Sequence, residues 1–278
     1  MNYSNKADMQ LLLQQQRKSF QKSGFPTLEL RLDRLDRLTS MIKKYDRQIC
    51  DTIAEDFGSR AFEISRLTEV FVTIEQAKHA ILSVAEWMQP EQRQAPSPIN
   101  EASAEVRYQP KGVVGIIAPW NFPVHLLLSP LVCVLAAGNR AMLKPSEITS
   151  RTSQLICDMI GEFFDPSEVA VVLGDAKVSA QFSQLPFDHL VFTGSTAVGR
   201  KVMSAAAQNL TPVTLELGGK APVIIDKGVD LKTVSLRLMT GKLFNSGQIC
   251  ICPDYAFVPE ELLKPLLNEL ENATATLY

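Results

Sequence analysis

The sequence predicts an α/β protein built on a doubly wound parallel sheet, preceded by helices. Three observations lead to this prediction. Two long stretches near the N-terminus have apolar residues at helical spacing, and short apolar runs then alternate with helical patterns from residue 101 onward. The most compact of these runs, 113–118, consists almost entirely of apolar residues, as buried parallel strands do. Alternation of this kind is typical of right-handed β-α-β units that share one sheet.

The N-terminal part is predicted to be helical over 28–56 and again over about 63–88. In the first stretch Leu28, Leu32, Leu35 and Leu38 recur on one face with charged residues between them. Residues 89–100 are rich in Pro, Gln and Ser, which predicts a linker. The first predicted domain is therefore a helical segment over 1–100.

The sheet elements follow in chain order. Strands are predicted at 106–108, 113–118, 141–144, 169–173, 189–193 and 213–216, with helices at 124–137, 150–163, 177–184 and 197–208. These elements define a second predicted domain, 101–218. A third, incomplete α/β domain over 219–278 is predicted from strand 221–225, helix 230–245, strand 255–258 and helix 260–278.

Composition excludes several classes of function. The formal net charge is -2 and no basic block appears, so neither nucleic acid nor an anionic membrane is an expected partner. The longest apolar run, 122–138, is interrupted by Pro123, His125 and Pro130, and it is too short to span a bilayer. The five cysteines form an odd set in a chain of ordinary composition, which indicates a reducing, cytoplasmic setting. Cys250 and Cys252 have no Cys or His companions at metal-site spacing, so no metal is expected.

Two short segments contain the residues best suited to catalysis. Cys250 ends the segment Asn-Ser-Gly-Gln-Ile-Cys, and Glu216 stands beside Gly218 and Gly219. A thiolate attacks carbonyl carbons, and a carboxylate can take a proton from water. This pair therefore predicts covalent catalysis on an aldehyde or acyl carbon.

Five motifs in order resemble those of the aldehyde dehydrogenase superfamily. They are Pro119-Trp120-Asn121-Phe122-Pro123, Lys144-Pro145-Ser146-Glu147, Phe192-Thr193-Gly194-Ser195-Thr196-Ala197-Val198-Gly199, Leu215 to Lys220, and Gly247-Gln248-Ile249-Cys250. Pro253-Asp254-Tyr255 is similar to the short, class-3-like branch. The segment Asp56 to Arg60, together with Glu69, resembles the bacterial coniferyl aldehyde dehydrogenase group. The resemblance extends from about residue 12 to the end of the chain.

The resemblance implies a catalytic role for each of three residues. The Cys250 thiolate attacks the aldehyde to form a thiohemiacetal, and hydride loss to a nicotinamide leaves a thioester that water hydrolyses. Glu216 activates that water from a dry site. Asn121 and the Cys250 backbone N–H donate to the developing oxyanion. From the residues alone, Asn121 could also begin a helix and Glu216 could also cap backbone amides at a strand end.

The resemblance also implies a Rossmann-like NAD-binding core over 101–218. Lys144 and Glu147 are expected at the adenosine ribose, with Glu147 favouring NAD while Lys144 leaves NADP open. The next strand ends and a helix begins at Gly194, Ser195 and Val198. The first turn of that helix suits a pyrophosphate. Pro119 and Trp120 are expected to form the wall near the nicotinamide. An exposed ion pair is the other interpretation of Lys144 and Glu147.

Members of this superfamily continue far beyond the position equivalent to Tyr278. The resemblance therefore implies that the chain is truncated, and that an oligomerisation arm near 101–112 forms a homodimer in the intact family. Three functions are consistent with these features. They are an enzyme acting on an aromatic or medium-chain aldehyde, a nucleotide-binding remnant without turnover, and a half-enzyme that binds a separately encoded C-terminal half.

Overall fold

The computed structural model describes residues 5–95, 98 and 102–278. The chain divides into two compact units, Met1–Glu216 and Leu217–Tyr278. The first unit contains the predicted helices and the main sheet. The second contains a small α/β arrangement of its own.

Helices form the N-terminal part of the first unit. Their bounds are α1 Lys6–Ser23, α2 Leu28–Lys44, α3 Asp46–Phe57, α4 Phe62–Ser65, a π-helix Arg66–Phe71, and α5 Val72–Trp87. The stretch predicted as one helix over 28–56 is two helices, because the backbone at Tyr45 leaves the helical region at φ -99° and ψ 8°. Helix α1 was not predicted from the sequence. Its apolar face is narrow, and the buried Gln16 lies on it, donating to the carbonyls of Ala141 at 3.0 Å and Pro166 at 2.8 Å.

The remaining elements of this unit confirm the predicted parallel sheet. They are β1 Glu91–Arg93, β2 Ala104–Val106, β3 Val113–Ile117, α6 His125–Ala136, β4 Arg140–Lys144, α7 Ser150–Phe163, β5 Val169–Val171, α8 Ala176–Ser183, β6 His189–Gly194, α9 Thr196–Ala207 and β7 Val213–Leu217. The five-stranded sheet has the order β5-β4-β3-β6-β7. β3 pairs in parallel with β4 on one side and β6 on the other, so strand order reverses beside β3.

The region between the helices and the sheet differs from the prediction. The strand predicted at 106–108 lies at Ala104–Val106 and pairs antiparallel with β1, which falls in the predicted linker 89–100. The charged residues of β1 and β2 hide the strand pattern, because both short strands are largely exposed. Residues 96, 97 and 99–101, which include the start of the predicted arm 101–112, lie outside the described residues.

The core of the first unit lies between the sheet and its covering helices. Every residue of β3 and β4 is buried. Leu35 and Leu38 of α2, Leu127 and Leu131 of α6, and Ile156 of α7 are fully buried against the sheet and its neighbours. This rigid centre fixes the loops that follow β3, β4 and β6.

Gly115, at the middle of β3, is a position where a larger side chain has no room. A Cβ there would lie 2.7 Å from the Phe187 ring and 2.8 Å from Leu190 Cδ1. We expect Gly115→Ala to lower the free energy of unfolding by about 1–3 kcal/mol, as overpacking of a core does. Urea unfolding measures this. Gly161→Ala is the control, because a Cβ at that position would meet nothing within 4 Å and α7 gains a better helix former. Equal stability of the two variants would contradict the packing described for β3.

The second unit is small. It contains β8 Ala221–Ile224, α10 Leu231–Leu243, a 3₁₀ turn Phe244–Gly247, β9 Pro253–Phe257, a 3₁₀ turn Glu260–Leu262 and α11 Leu263–Leu277. β8 and β9 pair in parallel. Asp230 caps α10 by accepting from the N–H groups of Lys232 and Thr233. Within the described part of the chain, no helix is both long enough and apolar enough to cross a membrane.

Candidate active site

A cavity of about 630 Å³ opens in the first unit at the carboxyl ends of β3, β4 and β6. Strand register explains this position, because Ile117 of β3 lies beside both Lys144 of β4 and Phe192 of β6. The loops after these three strands therefore begin at one edge of the sheet, where ligands of such sheets bind. The cavity is lined by Ile117, Ala118, Pro119, Trp120, Ser146, Glu147, Ile148, Ala176, Ser179, Ala180, Ser183, Gln184, Phe192, Thr193, Gly194, Ser195, Val198, Lys201, Val202 and Ala205.

The loop after β3 contributes Pro119 and Trp120 to the cavity wall. The Trp120 ring packs at a tilt against Phe57, with 6.1 Å between the ring centroids. Asn121 follows directly and is half-buried, and its backbone carbonyl accepts from Arg60 Nη1 at 3.0 Å. The Asn121 side chain, which is predicted to bind an oxyanion, thus belongs to a loop that is held by the Phe57–Trp120 contact and by the Arg60 hydrogen bond.

The two residues predicted to bind the ribose are in different environments. Glu147 is 40% exposed and lines the cavity. Lys144 is 1% exposed, and its Nζ donates to the Pro145 carbonyl at 2.7 Å and lies 3.9 Å from Glu147 Oε2. Burial lowers the pKa of Lys144. Glu147 therefore faces the cavity directly, whereas Lys144 is buried and is not among the residues that line the cavity.

The start of α9 forms the third side of the cavity. Ser195 caps this helix, and its Oγ accepts from the Val198 N–H at 3.3 Å. The remaining N–H groups of the first turn and the helix dipole make such an end favourable for an anion. Gly194 is required just before it, because a Cβ there would lie 2.5 Å from Cζ of the Phe192 ring, which also lines the cavity.

Cys250 lies in the second unit, in an exposed turn between α10 and β9. The turn follows three residues in the left-handed region, with φ values of 49° at Asn245, 55° at Ser246 and 76° at Gly247. Such conformations are costly for residues other than glycine and are typical of functional segments. Cys252 is half-buried, with its Sγ 3.8 Å from the Lys242 carbonyl. Of the two thiols, Cys250 is the more accessible to a reagent.

Glu216 is the last residue of the first unit and lies near the carboxyl end of β7. It is exposed, which differs from the dry surroundings expected for it. Asn121 belongs to the same unit, and Cys250 belongs to the other. Among the described residues, no cluster of three or more His, Cys, Asp or Glu side chains could hold a metal ion.

One contact near the site was not predicted from the sequence. Arg60 and Glu69 form an ion pair with 3.0 Å between Nη1 and Oε1, and both side chains are almost wholly buried. Glu69 Oε2 accepts from the backbone N–H groups of Val124 at 3.0 Å and His125 at 2.8 Å. Burial raises the pKa of Glu69 to about 7. The available sequence signal is a charged residue directly before an apolar run, Glu69 before Val70, Phe71 and Val72.

The fold and these motifs define a member of a known enzyme family. The chain belongs to the aldehyde dehydrogenase family, whose model matches residues 1–278. It is 48% identical over 266 residues to a coniferyl aldehyde dehydrogenase of Pseudomonas sp. strain HR199, covering 96% of this chain and 55% of that protein. It is 38% identical to aldehyde dehydrogenase family 3 member B1 of Rattus norvegicus, covering 96% of this chain and 57% of that protein.

Solved structures agree with this membership. The substrate-bound state of Staphylococcus aureus AldH is similar with a TM-score of 0.93 and 33% identity, over 96% of this chain and 58% of that one. A Mycobacterium tuberculosis aldehyde dehydrogenase complexed with NAD+ is similar with a TM-score of 0.87 and 25% identity, over 97% and 56% of the two chains. The motif-based resemblance is thus confirmed. The chain spans little more than half the length of these relatives.

Proposed function

We propose that this chain contributes to the NAD-dependent oxidation of an aldehyde to a carboxylic acid. The observation that supports the proposal best is the cavity beside β3, which gathers Pro119, Trp120, Glu147, Gly194 and Ser195 in a chain of this family. Its volume of about 630 Å³ lies within the range of small-molecule and cofactor sites. In terms of domains, we assign 101–218 to the cofactor core and 219–278 to the catalytic domain.

The residues around the cavity suit a dinucleotide. The first turn of α9, with Gly194, Ser195 and Val198, would hold the pyrophosphate. The Glu147 carboxylate would accept hydrogen bonds from ribose hydroxyls, and the buried Lys144, whose Nζ lies 3.9 Å from Glu147 Oε2, would support that carboxylate. Pro119 and Trp120 would form the wall at the nicotinamide end. When bound, NAD supplies the hydride acceptor for the oxidation.

The chain's own residues carry out the covalent steps. The Cys250 thiolate forms a carbon–sulfur bond to the aldehyde carbonyl, and the resulting thiohemiacetal oxygen receives a hydrogen bond from the Asn121 amide. After loss of hydride the acyl group remains on Cys250 as a thioester. Glu216 then takes a proton from water, and the attacking hydroxide releases the carboxylic acid and restores the thiolate.

The substrate and partners follow by analogy with the relatives. The coniferyl aldehyde dehydrogenase at 48% identity makes an aromatic aldehyde of that type our proposed substrate. The arm near 101–112, of which Ala104–Val106 forms β2, is proposed to take part in a homodimer. A cytoplasmic setting is proposed from the free cysteines, and NADP stays an alternative cofactor.

We expect Glu147→Gln to weaken NADH binding about tenfold, because a carboxylate accepts stronger hydrogen bonds from hydroxyls than an amide does. NADPH binding should weaken less or improve, since the carboxylate repels an added phosphate. Quenching of Trp120 fluorescence in a Trp87→Phe background measures both affinities. Glu86→Gln, on the exposed face of α5, is the control. An unchanged ratio of NADH to NADPH affinity would contradict the role of Glu147.

Turnover tests the full proposal. The purified chain, mixed with NAD and a panel of aromatic and aliphatic aldehydes, should form NADH only when both substrates are present. Aromatic aldehydes should give the higher kcat/KM. Absence of NADH formation by protein that is folded and binds NADH would contradict the proposal for this chain.

A further inference from the structure

The buried pair Arg60–Glu69 holds the backbone of a single loop. Arg60 Nη1 donates to the carbonyl of Asn121, and Glu69 Oε2 accepts from the amides of Val124 and His125. Both ends of the segment 121–125 are therefore attached to the same ion pair. We refer to this segment as the Asn121 loop.

Aromatic rings fix the Arg60 guanidinium in place. Its Cζ lies 5.0 Å from the centroid of the Phe57 ring and 4.9 Å from that of Phe122, so the guanidinium contacts a ring of the Asn121 loop itself. Phe57 also packs against Trp120. Arg60 Nη2 donates to Thr68 Oγ1 at 2.8 Å. These contacts leave the guanidinium little freedom and attach it to the Asn121 loop.

Glu69 lies in an irregular helix. It lies in the π-helix Arg66–Phe71, and single π-turns within α-helices are frequent at functional sites. The Glu69 side chain acts as the N-cap of α6. Val124, which occupies the N-cap position, makes no side-chain hydrogen bond to the amides of the first turn. Thr73 of α5 adds a further contact with α6, with its Oγ1 2.9 Å from His125 Nδ1.

A buried ion pair is weak evidence for a role in stability alone. Apolar residues of similar volume often give a fold that is equally stable, because desolvation of two charges offsets their attraction. What an apolar pair could not supply is the set of three hydrogen bonds to the Asn121 loop. The pair is thus better explained by the geometry it imposes on that loop.

We propose that Arg60 and Glu69 are positioning residues that hold Asn121 where its side chain can bind the oxyanion. This inference rests on the proposed function, because it assigns to Asn121 the oxyanion role stated there. Neither residue contacts the substrate, and both act through the loop backbone. A loop held in this way would not need to reorganise when charge develops on the substrate oxygen.

Hydrogen exchange of the purified chain, followed by mass spectrometry, tests the positioning itself. In Glu69→Ala, peptides covering 118–126 should exchange at least about tenfold faster than in the parent, because two charge-assisted hydrogen bonds are lost. Glu69→Gln should give an intermediate rate, since its amide oxygen can still accept. Glu168→Gln is the matched control, because it disrupts the partly buried pair Arg34–Glu168, with 2.9 Å between Nε and Oε1, far along the sequence from the Asn121 loop.

Kinetics test the connection to catalysis. Glu69→Gln and Asn121→Ala should each lower kcat by more than they raise the KM for NAD. The double variant should lose little more than Asn121→Ala alone, because residues that act through one group are not additive. Arg60→Lys should recover part of the activity lost in Arg60→Met. If the pair had a purely structural role, the fold-losses in kcat of the two single variants would instead multiply in the double variant.

The outcomes separate this inference from the proposed function. Unchanged exchange of 118–126 in Glu69→Ala, relative to Glu168→Gln, would overturn the positioning role whether or not the chain turns over. Multiplying losses in the double variant would overturn it as well. A parent chain without aldehyde-dependent NADH formation would overturn the proposed function. Even then, faster exchange of 118–126 in the Glu69→Ala variant than in the parent would still support a role for Glu69 in positioning the loop backbone.

Discussion

Cys250→Ala is expected to abolish aldehyde-dependent formation of NADH by this chain. The thiolate is the group that bonds to the aldehyde carbon, and alanine has no atom that can replace it. We expect a loss of at least about 10³-fold in kcat/KM, the size of effect seen when a covalent nucleophile is removed. The measurement is the initial rate of NADH formation at saturating NAD. Binding of NADH should be unchanged, because Cys250 is not among the residues that line the cavity assigned to it.

Two other thiols of the chain provide controls for this result. Cys252 lies two residues away and is half-buried, and Cys133 is exposed on α6. Cys252→Ala and Cys133→Ala should retain most of the activity. Full activity of Cys250→Ala would refute the assignment of the nucleophile. Loss of activity in Cys252→Ala alone would move that assignment to Cys252.

Glu216→Gln should have the second largest effect, and it should act on a different step. Formation of the thioester does not require a base for water, whereas its hydrolysis does. We therefore expect a burst of NADH close to one equivalent per chain, followed by a steady rate about 10²-fold or more below that of the parent. Stopped-flow absorbance of the reduced nicotinamide resolves both phases.

A matched control for Glu216→Gln is Glu271→Gln, which changes an exposed carboxylate on α11. It should show neither the burst nor the slow phase. A steady rate in Glu216→Gln equal to that of the parent would mean that Glu216 is structural. Loss of the burst as well would place its role before hydride loss, in deprotonation of Cys250.

The centre of the main sheet could be predicted from the sequence because every residue of β3, β4 and β5 is buried. Such strands consist of continuous apolar runs, as in 113–117, and the helices between them have regular apolar spacing. Elements with weaker patterns were missed or misplaced. α1 is rich in glutamine, and β1 consists of Glu, Gln and Arg, so neither has the pattern of a buried element. Their formation depends on contacts with distant segments.

The residues of the candidate site also divide into those that the sequence could place and those that it could not. Glu147 and Ser195 could be placed at the cavity from the motifs and the strand ends, because chain order alone sets them after β4 and β6. The burial of Lys144 could not be predicted, since it depends on how the loop after β4 folds back. The contact of Glu69 with Val124 and His125 was also beyond the sequence. It joins residues 55 and 56 positions apart, and only the packed fold brings them together.

Mass analysis of the chain quenched during turnover is the sharpest test of covalent catalysis by Cys250. We predict an adduct on the peptide containing Cys250 when NAD and aldehyde are both present. Its mass should be that of the aldehyde less two hydrogen atoms, because a thioester replaces the thiol hydrogen with an acyl group. The adduct should accumulate most in Glu216→Gln and be absent from Cys250→Ala. NADH formation without any acyl group on Cys250, or with the group on another residue, would contradict this mechanism.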